Sequence, residues 1–318
     1  LKVGLIEMSG VKQITPVGTT TSIDSLAYDG ADLSALPLYL RTVLGGVVTR
    51  GSLAHAKNYY RNATIAAAIP TITFGRLRLK NQKITLPDGT NILVGDASMV
   101  PMRADVNGQV QFATIVSGID LPLETLAESD PRAGAALAML QAQGIEQVSL
   151  GYGIDVITSP KAGTITIHDL SVALKKLAAV NISGKISGID IEQLRKLPEQ
   201  EWSEPLMQSG ISGLAMKAKD EGLRAIALKV FSEQRGTTPD QVAEGLATQA
   251  EQLAAELGSE RAVKIGKALA TFLRKGGSLE VLAAKSDPTP IIEIMMAMQT
   301  QGPPAVLELL QIEAVHSP

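Results

Sequence analysis

A chain of 318 residues, 45% hydrophobic and 19% charged, is long enough for two domains and too apolar to be disordered throughout. Its ten aromatic residues are five Tyr, four Phe and one Trp. They are too few for base-stacking or sugar-stacking surfaces, and they leave the core to aliphatic side chains. Twenty-nine basic against 32 acidic residues give a net charge of -3, with no global attraction to nucleic acid or to an anionic membrane.

The chain has no cysteine, which removes disulfides, thiolate zinc sites, iron–sulfur clusters and thiol nucleophiles together. That absence suits an oxidising bacterial compartment. The first residue is Leu1, from which we expect processing or trimming. The longest stretches free of charge, such as Asn62 to Gly75, run to about 14 residues against the ~18 to 20 of a membrane span, so no span is expected in this chain.

In chain order, the first part reads as hairpins. Thr71 to Lys80 is an expected strand with Ile72 and Phe74 in phase with Arg76, Arg78 and Lys80, Leu77 and Leu79 on the opposite face, and a bulge at Gly75. Pro87-Asp88-Gly89 is a turn between Ile84 and Ile92, and Val106-Asn107-Gly108-Gln109 is a two-residue hairpin of the Asn-Gly type. Gln109 to Val116 places Val110, Phe112, Thr114 and Val116 on one strand face. Lys161-Ala162-Gly163 separates strands at Ile154 to Ile157 and Thr164 to Val172. No strand–helix–strand signature accompanies them, so the pairing is expected to be antiparallel.

Ser117-Gly118-Ile119-Asp120-Leu121 recurs as Ser187-Gly188-Ile189-Asp190-Ile191, with Gly30-Ala31-Asp32-Leu33 a looser third copy. We read each as a strand handing over to a helix capped by Asp120, Asp190 or Asp32. Glu192, Glu199, Glu201 and Glu204, around Trp202, form an acidic linker expected to be a solvated loop.

A change of style near residue 210 divides the chain into a β-rich hairpin domain with inserted helices, 1–210, and a mainly helical unit, 211–318, whose short strands join the sheet. Ile211 to Lys219 is an expected strand. Leu223, Ile226, Ala227, Val230 and Phe231 mark a buried helix stripe. Thr238-Pro239-Asp240-Gln241 is a capping box, and Ser259 caps a third helix ending at Gly276 or Gly277. Ser278 to Ala283 is a short strand, Thr289-Pro290 opens a helix closed by Gly302-Pro303-Pro304, and Gln311 to His316 returns as a strand.

Chemistry-bearing patterns are sparse. The histidines are His55, His168 and His316, none with a partner at ligand spacing. His168 and Asp169 lie on opposite strand faces unless a bulge intervenes. No nucleophile elbow, phosphate loop or dinucleotide fingerprint occurs. The basic ribbon of Arg76, Arg78, Lys80 and Lys83 is either a protected strand edge or a contact for anionic head groups. Met295, Met296 and Met298 suit an adaptable apolar surface or, more commonly, core filling.

Asp220-Glu221-Gly222-Leu223, Ala227, Gly236, the capped helix pair, Phe272-Leu273, Gly277-Ser278-Leu279 and Pro288 with Pro290 resemble the C-terminal part of a group of uncharacterised proteobacterial envelope proteins. The hairpins ending in Ser-Gly-Ile-Asp are similar to the same group and, more loosely, to the AsmA-like and tubular (TULIP-like) lipid-binding proteins. The resemblance covers roughly residues 140 to 318. It implies a periplasmic location, leaves room for an anchor ahead of Leu1, and suggests a scaffold for apolar ligands without any catalytic residue.

The expected fold is therefore α+β, with a long curved antiparallel sheet packed on helices and a helical C-terminal unit. The expected function is non-catalytic binding or transfer of a lipid or other apolar molecule in the bacterial envelope. The alternative is a structural or assembly protein there, with an envelope protein as partner. Ile72, Phe74, Val110, Phe112, Ile165 and Ile167 are the candidate lining, and Arg76, Arg78 and Lys80 the candidate head-group contacts. Neither a metal nor another cofactor is expected.

Overall fold

The computed structural model describes residues 2–32, 75–104, 108–124 and 134–318. Among these residues twelve strands form one sheet: β1 (Lys2–Ile14), β2 (Thr20–Asp32), β3 (Arg76–Thr85), β4 (Asn91–Ala104), β5 (Val110–Pro122), β6 (Gln147–Ser159), β7 (Thr164–Leu174), β8 (Ala178–Ser187), β9 (Gly210–Asp220), β10 (Ser278–Ala283), β11 (Thr289–Pro290) and β12 (Ile312–Ser317). Spatial order follows chain order, except that β12 lies beside β10 and β11 pairs with β9. Every pairing is antiparallel. The protein is thus α+β, and β8–β9 pairing carries the sheet across residue 210.

Local chemistry sets the hairpins. At the β3–β4 turn the Asp88 carboxylate accepts from the Thr90 N–H at 2.8 Å, closing an Asx turn. Between β6 and β7 the chain makes one tight turn at Pro160–Ala162 and leaves it through Gly163 at φ +60°. A Cβ at Gly163 would sit 2.8 Å from the Ile189 carbonyl, so both backbone conformation and close approach select glycine there. Register shifts within β4–β5, β5–β6, β6–β7, β7–β8 and β8–β9 mark bulges along the sheet.

The helices among the described residues are α1 (Gly134–Ala142), α2 (Ile191–Lys196), α3 (Ser203–Gln208), α4 (Leu223–Arg235), α5 (Pro239–Glu256), α6 (Glu260–Lys275), α7 (Ile291–Gln301) and α8 (Pro303–Leu309). Leu137 of α1 buries itself with Leu123, Val148 and Leu177, and Leu174 and Ile226 pack around them, so α1 and α4 cover one end of the sheet. The Thr238 hydroxyl and the Gln241 side chain satisfy each other's backbone amides at the start of α5. The Ser259 hydroxyl accepts from the Ala262 N–H at 3.2 Å to start α6. Gly266 lets α6 approach α5 closely, since a Cβ there would overlap Ala254. Arg224 of α4 donates from Nε to the Leu273 carbonyl at 2.6 Å and also to the Arg274 carbonyl, supplying a cation where α6 exposes its unpaired carbonyls. In turn α6 packs on β10 and β12.

Several expectations change. Asp190 caps α2, accepting from the Gln193 N–H at 2.8 Å, whereas Asp120 lies within β5 opposite Leu93 and Ser149. Bulging between Val116 and Ile119 lets β5 continue past Gly118, so the repeat does not extend to the helix cap. Asp32 is the last residue of β2, and the segment after it lies outside the described residues. The acidic linker is not a loop but carries α2 and α3. In α4 the buried positions are Leu228 and Ser232, while Leu223 and Phe231 are exposed. The stripe is turned because the Arg224 edge of the helix faces α6. Ile72, Phe74 and the turn residues Val106 and Asn107 lie outside the described residues, although the β4–β5 pairing itself is present.

Candidate functional site

Residues directly opposite one another in a ladder point to the same face, so the registers trace which side chains line up across the sheet. One row runs Ile6, Tyr28, Leu77, Met99, Thr114, Ile154, Leu170, Ile182, Met216, Val281, Ala314. Its neighbour runs Met8, Leu26, Leu79, Ala97, Val116, Tyr152, Val172, Val180, Ala218, Leu279, His316. Both cross all eleven strands of the main path. Ten steps at about 4.8 Å make each row roughly 48 Å long. On the other side the matching row is Glu7, Ala27, Arg78, Ser98, Ile115, Gly153, Ser171, Asn181, Lys217, Glu280, Val315. The sheet therefore has one aliphatic face and one largely polar face.

The aliphatic face is open over β7, β8 and β9, whereas Val116 of β5, in the row of Val172 and Val180, is buried. Val172 is 54% exposed, Val180 39%, Ile182 36% and Met216 40%, values that a sealed core does not allow. At the C-terminal edge, beneath α6, Leu279 is buried, and His316 accepts from or donates to the Gly276 carbonyl at 2.8 Å through Nε2. At the far edge Ile6 and Met8 are half exposed.

Four of the sequence-derived lining residues fall on this face. Phe112 aligns with Val156 and Ile167, and Val110 with Thr158 and Ile165, flanking the row that contains Thr114 and Leu170. The basic ribbon does not join them. Arg76, Arg78 and Lys80 alternate with Leu77 and Leu79 along β3 and so point to the polar face, where Arg78 pairs with Asp29 at 2.6 Å. The residues that sequence reasoning passed over are Leu170, Val172, Val180, Ile182 and Met216. Alternation within each strand signals them singly, while their alignment exists only through the register.

Elsewhere, a bulge does fall at His168, since Asp155 pairs with Asp169 and Val156 with Ile167. The Asp169 carboxylate is nonetheless held by Ser171, at 2.9 Å, and by Asn181, so its bonds run to hydroxyl and amide partners on β7 and β8. Met295, Met296 and Met298 are exposed on α7 and do not fill the core. Met296 lines a groove of about 690 Å³ between α7 and α8. A second pocket, of about 790 Å³, opens beside the β7–β8 turn over Ile145, Val148, Leu177 and Ile226. Among the described residues, no group of three or more His, Asp or Glu is placed to hold a metal, and no helix is long and apolar enough to cross a membrane.

A family described as "Uncharacterized protein" matches residues 171–317, a span that begins within β7 and takes in the helical unit. No curated protein matches the chain.

Proposed function

We propose that the chain binds or transfers a lipid or other apolar molecule, without chemistry, on the aliphatic face of its sheet. The observation that carries this reading is the pair of unbroken side-chain rows, open at Val172, Val180, Ile182 and Met216. Aliphatic rows flanked by few polar groups suit a hydrocarbon chain: each methylene withdrawn from water contributes ~0.8 kcal/mol before the costs of association. The bulges at the register shifts of β5 to β8 bend the strands locally, which suits a sheet that curves around a ligand. A cysteine-free chain and the resemblance to proteobacterial envelope proteins support a periplasmic setting.

Native mass spectrometry of protein taken from its host should show a lipid travelling with it. Val172→Asp combined with Ile182→Asp should lower uptake of a fluorescent fatty acid at least severalfold, because a carboxylate is then set in the apolar rows. Both sites are exposed, so the melting temperature should move by only a few degrees. A bare wild-type mass together with uptake unchanged by the double substitution would instead favour an envelope assembly protein.

A further inference from the structure

The aliphatic rows say where a chain would lie but not where a polar head would sit, and the β7–β8 turn supplies that place. Lys175 and Lys176, both exposed, stand at the rim of the pocket of about 790 Å³ whose floor is Ile145, Val148, Leu177 and Ile226. This volume falls within the range of small-molecule sites. Among the described residues neither ammonium group is held in an ion pair, whereas Lys219 is committed to Glu221 at 2.7 Å and Arg78 to Asp29 at 2.6 Å. Two acids stand near them: Glu146 on the pocket lining, and Glu221, which accepts from the Lys176 N–H, borders a second groove with Lys175 and is neutralised by Lys219, so the two lysines leave the rim net positive. The floor is continuous with the aliphatic face: Val148 packs with Leu174, and Leu174 lies two residues along β7 from Val172.

We infer that this pocket is the head-group end of the aliphatic face. The ammonium groups of Lys175 and Lys176 balance the net negative charge on the head group of an anionic diacyl lipid, whose chains cross Leu177 and Val148 and run on to the open rows. The inference rests on the lipid reading above and adds to it the sign of the head group and its location. Two adjacent cations over an apolar floor complement an amphiphile with negative charge at one end, and a zwitterionic head group gains less from them.

The test uses the full chain, stripped of lipid, titrated calorimetrically with dioctanoyl phosphatidylglycerol, dioctanoyl phosphatidylcholine and inorganic phosphate. The wild type should prefer the glycerol lipid by roughly tenfold or more. Lys175→Gln with Lys176→Gln should abolish that preference and leave the choline lipid's affinity within about twofold, while Arg78→Gln should change neither. Equal affinity for both lipids in the wild type, or a preference lost in Arg78→Gln but kept in the lysine variant, would overturn the head-group site and leave the lipid reading standing. Inorganic phosphate binding as tightly as the glycerol lipid would overturn it in favour of a free-anion site. If neither lipid bound, the lipid reading and this inference would fail together.

Discussion

Single side chains decide where strands stop and helices start, and the two Ser-Gly-Ile-Asp segments show how little sequence separates the outcomes. Asp190 follows a strand that ends, and its carboxylate meets the Gln193 N–H at 2.8 Å. The glycine has a positive φ in both segments, +82° at Gly118 and +79° at Gly188, but at Gly118 it makes a bulge instead of an end, so the strand resumes and Leu121 still pairs with Val148. The same residue type thus satisfies a helix N-terminus in one place and occupies a ladder position in the other. Asp190→Ala should cost about 1 kcal/mol, the usual value of an N-cap. Asp190→Asn should recover most of it, because an amide oxygen accepts the same bond. Asp120→Ala should show no dependence of this kind on the replacing side chain. Chemical denaturation of the variants distinguishes the two roles, and equal rescue of both positions by Asn would restore the repeat as a structural one.

At the scale of elements, α5 and α6 form a hairpin whose close contact at Gly266 is tied at the outer surface by Arg274. Its guanidinium donates to Glu244 at 2.9 Å and to Glu251 at 2.8 Å, and these bonds hold both carboxyls below the usual carboxylate range and raise the arginine itself. Carboxylates depressed in the folded state contribute stability that is complete above their ordinary pKa of 4.5 and is lost as pH falls through the depressed values. Arg274→Gln should therefore lower stability near neutral pH, modestly because the pairs are exposed. The gap from wild type should close as the solution is acidified below the ordinary carboxylate pKa. Parallel denaturation curves separated by the same amount at all pH values would mean that packing, not charge, accounts for the loss. Hairpins and helix ends such as these were legible in the sequence, since turn chemistry at Asp88 and Gly89 and caps at Thr238 and Ser259 act over a few residues. The rows were not. Alternation assigns Val172 and Val180 each to a face, but which strand lies beside which, and in what register, depends on pairing across the whole sheet. Likewise Leu77 and Leu79 were visible as the face opposite Arg76, Arg78 and Lys80, yet only the ladder to Met99 and Ala97 shows that theirs is the aliphatic side.

Across the whole molecule, the distribution of burial differs from that of a two-layer domain. Helices cover the sheet at its C-terminal edge and along one end of its strands, while the aliphatic face over β7 to β9 keeps Val172, Val180, Ile182 and Met216 in contact with solvent. This open part of the face is an apolar patch of the kind that marks a ligand or partner contact. Such a face has two ways to leave water, against a hydrocarbon ligand or against a second apolar face, and these compete for the same side chains. Stripped of lipid, the protein should self-associate at tens of micromolar, and added diacyl lipid should return it to monomers because ligand and neighbour exclude each other. Ile182→Asp should hold the stripped protein monomeric, since burying that carboxylate in either contact is unfavourable. Sedimentation velocity with and without lipid reads all three states. Association that persists unchanged in saturating lipid would place the contact elsewhere, with the exposed methionines of α7, Met296 and Met298, the first surface to substitute. A stripped wild type that stays monomeric and leaves an apolar dye dark would mean that the rows are closed to ligands in solution.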